Sequence, residues 1–202
     1  MIAAGPRPTL FLIAGPNGAG KTTFYETVLK SRVQAPFINA DIIQRDELKN
    51  PSVDAAYEAA DIARTRRQDL LEAGRSFVME TVFSHPSKLT FLHEARRRGF
   101  RLVVFHLNVA SADLSVARVE ARVKEGGHAV PEHKVRERYA RNQVLIKSAV
   151  QFADYAAIYD ASALNAPPRL LARASLGRLE SHAEDPPAWF DRLYGASGPA
   201  GA

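Results

Sequence analysis

Thr9-Leu10-Phe11-Leu12-Ile13-Ala14-Gly15-Pro16-Asn17-Gly18-Ala19-Gly20-Lys21-Thr22 is the stretch from which the rest of the chain can be read. A hydrophobic run of strand length enters a glycine-rich octet, and Lys21 opens a segment of helical character that continues to about Lys30. The octet matches G-x-x-x-x-G-K-[ST] at every fixed position, and it stands where a phosphate loop works, between a buried strand and a helix. Glycines let backbone N–H groups turn inward around phosphate oxygens, and the helix N-terminus adds partial positive charge to the same anion. Residues Gly15 to Thr22, with Thr23 beyond them, are therefore expected to bind a nucleotide. Lys21 would bridge the β- and γ-phosphates, and the Thr22 hydroxyl would ligate Mg2+. The loop names the ligand class but not the reaction, which many unrelated activities share.

Outward from this unit, short hydrophobic runs alternate with longer amphipathic segments, the pattern of βαβ units around a parallel sheet. Further strands are expected at Pro36–Ala40, Ser76–Phe83, Arg101–Val109 and Tyr155–Asp160, with short ones near Leu170–Ala172 and Arg178–Ser181. Helices are expected over Ser52–Glu72, Pro86–Arg98, Ala112–Glu125 and Pro131–Val150, with a last turn near Trp189–Tyr194. Pro86 before one helix and Gly99 after it follow the asymmetry of helix ends. For Ser52–Glu72 the spacing of Ala56, Tyr57, Ala60 and Ala63 predicts the buried face. The pattern predicts an α/β domain over 1–202, a doubly wound parallel sheet with its core at about 8–180, a helical lid at about 111–150 and a tail from about 181, frayed from Gly195 to Ala202.

Composition narrows the chemistry. The 202 residues contain no cysteine, which removes disulfides, thiolate metal sites and cysteine nucleophiles. The early apolar run is far shorter than a membrane span and lacks the flanks of a signal peptide, so a cytoplasmic protein that makes no membrane contact is expected. The 27 Lys and Arg against 22 Asp and Glu give a net charge of +5, which suits an anionic partner.

Phosphoryl transfer to a hydroxyl requires a base, cations around the moving group and an acceptor pocket. Asp41 ends the expected second strand, and strand carboxyl ends open onto the ligand crevice of such a sheet. It could take the proton, although Asp at that position could equally cap the next helix. Glu80, just after Phe77-Val78-Met79, is placed to hold Mg2+ through water or to bind substrate hydroxyls. His85 reads as a turn residue, and the remaining histidines lack metal-ligand spacing. The segment Asp113–Lys147 is strongly basic, and Arg118 and Arg122 lie one helical turn apart, where like charges repel unless an anion lies between them. That favours a lid whose arginines clamp phosphates, with Lys124, Lys134 and Lys147 on a solvated face. Apart from Tyr139 the lid has no aromatic residue for stacking bases, which argues against nucleic acid as a partner. A transporter-type ATPase would want an LSGGQ-like signature and an adjacent Asp-Glu pair after a strand, and neither is present. A degenerate binding module is at odds with an intact Lys21, Thr22 and Asp41.

Five stretches, AGPNGAGKTT at 14–23, FINADII at 37–43, FVMETVFSHPSKL at 77–89, ARVEARVKEGGHAVPEHKVRERYAR at 117–141 and IYDAS at 158–162, together resemble the zeta toxin family of P-loop kinases. The resemblance implies an adenylate-kinase-like fold and an ATP-dependent kinase whose acceptor is a hydroxyl of a nucleotide sugar such as UDP-N-acetylglucosamine. It implies ATP and Mg2+ at Lys21 and Thr22, Asp41 as catalytic base, and Asn39, Glu80, Thr81 and Ser84 in the acceptor pocket. Lid arginines would bind the phosphates, with Arg122 and Arg138 foremost and Arg118, Arg136 and Arg141 in reserve. Other hydroxyl acceptors, such as an antibiotic, a nucleoside or a nucleic-acid end, stay open. Family toxins are often held by a small antitoxin, which here would be a separate protein.

Overall fold

A computed structural model of the chain describes residues 7–124 and 130–195, with only the backbone at 181 and 182. Seven strands form one sheet: β1 (Thr9–Ala14), β2 (Phe37–Ile38), β3 (Phe77–Thr81), β4 (Arg101–Asn108), β5 (Tyr155–Asp160), β6 (Arg169–Ser175) and β7 (Arg178–His182). Their spatial order is β2-β3-β1-β4-β5-β6-β7. The first five are parallel, and β6 and β7 add an antiparallel edge. β1 is central because it is apolar on both faces, and Leu10, Leu12, Ile13 and Ala14 have no exposed surface.

Alternation along the strands sorts side chains to two layers. Leu10 and Leu12 of β1, with Phe77 and Met79 of β3, meet α4 (Ser87–Arg97) and α6 (Glu132–Phe152) on one face. On the other, Ile13 and Val78 pack on Phe24 of α1 (Lys21–Phe24) and on Tyr25 and Leu29 of the π-helical turn that continues it. The tail joins the first layer through Trp189, Phe190 and Tyr194, and the Trp189 indole donates to Asp160 at 3.0 Å. Buried His106 shares a 2.8 Å hydrogen bond with the Tyr194 hydroxyl, and burial lowers the imidazole pKa to about 3, so it stays neutral.

Two expectations need correction. The strand expected over Pro36–Ala40 shrinks to β2, because the Asn39 side chain accepts from the N–H groups of Asp41 and Ile42 and starts α2 (Ala40–Ile42) there. The face expected for the long helix is also displaced. In α3 (Val53–Glu72) the buried residues are Ala55, Ala59, Ala63, Arg67 and Leu71, whereas Tyr57 is 66% exposed. A strict spacing of four carries the stripe down to Leu71 beside β3, and it does so only by taking in Arg67. Ser52 caps this helix by accepting from the Ala55 N–H, and Gly74, at φ 61°, turns the chain out of its other end.

α5 (Ala112–Lys124) and α6 form the arm where the lid was expected and pack on one another. The Gly126-Gly127-His128 connection, like the tail beyond Gly195, lies outside the described residues.

Candidate phosphoryl-transfer site

The carboxyl ends of β1, β2 and β3 open into a cavity of about 1150 Å3. Gly15 ends β1 so close to β4 that a Cβ there would stand 1.9 Å from the Leu107 carbonyl oxygen. Pro16 and Ala19 are buried behind the loop, while Asn17, Gly18, Gly20, Lys21, Thr22 and Thr23 border the cavity. Gly18 and Gly20 adopt left-handed conformations, at φ 74° and 71°, that fold the loop back on itself. Ser115 of α5 donates to the Asn17 carbonyl at 2.5 Å and braces this turn.

Lys21 is 8% exposed and its Nζ donates to the Pro16 carbonyl at 2.9 Å. Burial lowers its pKa, with Glu80 and Asp41 opposing that shift and Arg122 adding to it. Three residues distant in sequence thus act on Lys21 here. Glu80 lies opposite Ile13 in the β1–β3 register, which aims it at the first turn of α1. Its Oε2 accepts from Thr22 Oγ1 at 2.9 Å and from Asn39 Nδ2 at 2.7 Å. Burial pushes its pKa up, against the pull of Lys21 and both hydrogen bonds. A hydroxyl and a carboxylate side by side at the phosphate loop suit a hard, oxygen-seeking divalent cation. Among the described residues no cluster of three or more His, Asp or Glu forms a closed metal cage.

The capping role that the sequence left open for Asp41 falls to Asn39. Asn39 is 5% exposed and is the helix cap, with its amide tied to Glu80. Asp41 receives that cap on its backbone N–H, so its carboxylate stays exposed at the cavity wall. Thr81 and Ser84 border the same cavity. His85 accepts from the Ser87 N–H at 3.2 Å and shapes the start of α4.

The lid arginines separate cleanly. Arg118, Arg122 and Arg138 line the cavity. Arg118 reaches the Gly18 carbonyl at 3.2 Å and the Ala161, Ser162 and Ala163 carbonyls at 2.6, 2.9 and 3.0 Å, joining the phosphate loop to the segment after β5. Arg136 instead pairs with Asp113 and Glu132, and Arg141 with Glu137, on the solvated face. The sequence reading missed Arg67 and Lys88, which also border the cavity. The signal for Arg67 was its place in the stripe of small and apolar residues on α3.

A central strand feeding a phosphate loop, in a parallel sheet ordered β2-β3-β1-β4-β5, defines a P-loop kinase-type fold. Residues 2–163 match the zeta toxin family, and the chain belongs to it. An uncharacterized protein of Haemophilus influenzae is 27% identical over 128 residues, 62% of this chain and 88% of the relative. A chain of the AvrRxo1-ORF1:-ORF2 complex with ATP is similar in structure, with a TM-score of 0.66 at 17% identity over 87% of this chain. This chain covers only 60% of that one. A chain of the Streptococcus pneumoniae PezAT chromosomal toxin-antitoxin system has a TM-score of 0.57 at 15% identity, with 78% of this chain and 69% of that one covered. At these identities the structural likenesses show a shared fold. No described helix is long and apolar enough to cross a membrane.

Proposed function

We propose that the protein transfers the γ-phosphoryl group of ATP to a hydroxyl of a nucleotide sugar resembling UDP-N-acetylglucosamine. The observation that carries this reading is the convergence of Asp41, Lys21, Glu80 and Arg122 at one cavity beside the phosphate loop. The loop amides and Lys21 would hold the β- and γ-phosphates. Thr22, supported by Glu80, would hold Mg2+, which neutralises charge on the phosphate oxygens when bound. Arg118, tied to the Gly18 carbonyl at the edge of the phosphate loop, would add positive charge to the nucleotide phosphates. Asp41, in the same cavity, would accept the proton of the acceptor hydroxyl as oxygen attacks phosphorus. Arg122 and Arg138 would balance charge spreading over the transferred oxygens. Thr81 and Ser84 would orient the acceptor.

The test mixes purified protein, Mg·ATP and a panel of UDP-sugars, with mass spectrometry reading one added phosphoryl group. Product from none of them would refute the nucleotide-sugar acceptor. Asp41→Asn should cut transfer by about 10²–10⁴ while ATP still binds, and undiminished turnover would remove Asp41 as the base. Membership of a toxin family, and the likeness to PezAT, support a separate antitoxin protein as a partner. Its cognate antitoxin should inhibit transfer when added to the same assay.

A further inference from the structure

The cavity contains a second group of charges that phosphate-loop chemistry leaves unused. Arg67 stands on the buried stripe of α3 and is 8% exposed, among the deepest cations in the described chain. Lys88, in the first turn of α4, is half-buried and feels the charge of Arg67. Both border the cavity. Neither side chain makes a hydrogen bond or ion pair among the described residues, in contrast to Arg118 and Arg136, whose guanidinium groups bond to backbone carbonyls and to acids respectively.

Their electrostatic surroundings are cationic. Burial lowers the Arg67 pKa, and its charged neighbour Arg64 lowers it further. Burial brings Lys88 to about 8, with Arg67 adding to the shift. Lys21 answers instead to Glu80, Asp41 and Arg122, so the two groups are distinct. An unpaired cation removed from water is strongly unfavourable, and a second cation lining the same cavity adds to the cost. Such a pair in a cavity wall is stable in use only when an anion sits between them.

From this we infer that Arg67 and Lys88 form an oxyanion subsite, and that the molecule phosphorylated here carries a phosphate or carboxylate apart from its reacting hydroxyl. The inference deepens the kinase reading and rests on it for the identity of the bound molecule as acceptor. α2, which carries Asp41, packs against α3, which carries Arg67, so an anion held on α3 would anchor the molecule on the side of the cavity that holds the base. A guanidinium grips two oxygens in a fixed fork and an ammonium adds a compact charge.

The test uses the full protein saturated with Mg·ADP, which fills the phosphate loop. Three sugars are titrated calorimetrically: N-acetylglucosamine 1-phosphate, glucuronate and neutral N-acetylglucosamine. At least one anionic sugar should bind tenfold or more tightly than the neutral one, and which of them does so separates phosphate from carboxylate recognition. Arg67→Met and Lys88→Met should each erase that preference while leaving Mg·ADP affinity unchanged. Relieved of an unpaired charge, Arg67→Met should melt at or above the wild-type temperature. If it fails to fold, the more exposed Lys88→Met carries the test. Equal binding of all three sugars by the wild type, or a preference surviving both variants, overturns the subsite. Binding requires no phosphoryl transfer, so the two readings fail separately. An anion preference without phosphorylated product refutes the kinase reading alone, and product without the preference refutes the subsite alone.

Discussion

Asn39 and Asp41 stand two residues apart, and their hydrogen bonds predict opposite consequences for stability and catalysis. In Asn39→Ala, α2 loses the side chain that accepts from Asp41 N at 2.8 Å and Ile42 N at 3.2 Å. Loss of a cap costs about 1 kcal/mol. The same substitution removes the 2.7 Å donation to the Glu80 carboxylate. A hydrogen bond to a charged group contributes about 1.5–3 kcal/mol, and the lower end applies because Thr22 stays bound to the same oxygen and the cavity admits water. The sum is roughly 2–3 kcal/mol, a fall in Tm of about 4–12 °C for a protein of this size. Asp41→Asn leaves the cap untouched, because the contact is to the backbone N–H of residue 41. An exposed change of this kind falls within about 0.5 kcal/mol. Turnover should nevertheless drop by about 10²–10⁴, the contribution of a general base. Thermal unfolding by circular dichroism and a coupled phosphotransfer assay read both quantities. A Tm for Asp41→Asn as low as that of Asn39→Ala, or an unchanged Tm for Asn39→Ala, would refute the division of labour.

Gly15→Ala should unfold several degrees below wild type, because its Cβ would meet the Leu107 carbonyl oxygen at 1.9 Å and push β1 from β4. Gly20→Ala meets no atom within 4 Å and should cost only the left-handed backbone, about 1–2 kcal/mol, by urea denaturation. Arg122→Ala and Arg138→Ala should each lower kcat by at least about tenfold, whereas Arg136→Ala, which breaks exposed ion pairs with Asp113 and Glu132, should leave kcat unchanged. Lys88 titrates near 8 when folded and near 10.5 when unfolded, so its penalty is full below pH 8 and fades as pH rises toward 10.5. Stability relative to Lys88→Met should therefore rise across that window, and affinity for an anionic sugar should fall across it. Urea midpoints and calorimetric titrations at pH 7.5 and 9.5 check both signs, and a flat difference between the two proteins contradicts them.

The phosphate loop was legible because a local rule fixes it: strand, glycine turn and helix are contiguous, and Lys21 and Thr22 have no alternative geometry there. The parallel sheet followed from hydrophobic runs that must be buried on both faces. Glu80 was legible as a polar residue ending an apolar strand, yet its two hydrogen-bond partners were not, since Thr22 comes from the first turn of α1 and Asn39 from the end of β2. The limits of β2 and the face of α3 depended on choices between competing local signals. Asn39 can extend a strand or cap a helix, and Tyr57 reads as core by composition although it is 66% exposed. The lid arginines show the same limit, because helical spacing puts Arg136 and Arg138 in one segment but only the packing of α5 on α6 sends one to acids and the other to the cavity.

The buried charges explain how this site can be assembled without its ligands and why it should tighten with them. Lys21 and Glu80 are both desolvated, but each lessens the other's cost, and Thr22 and Asn39 satisfy the carboxylate. That half of the cavity is partly compensated before any nucleotide arrives. Arg67 and Lys88 have no such compensation, so the fold carries their desolvation until an anion provides it. A ligand that binds only the folded state stabilises it by about 2.7 kcal/mol at one hundred times its Kd. Nucleotide binding should supply its share through the phosphate loop, while the strain at Arg67 and Lys88 remains until the acceptor binds. The largest rise in Tm is therefore expected from nucleotide and anionic acceptor together, and that rise should shrink in Lys88→Met by the part that depends on the anion.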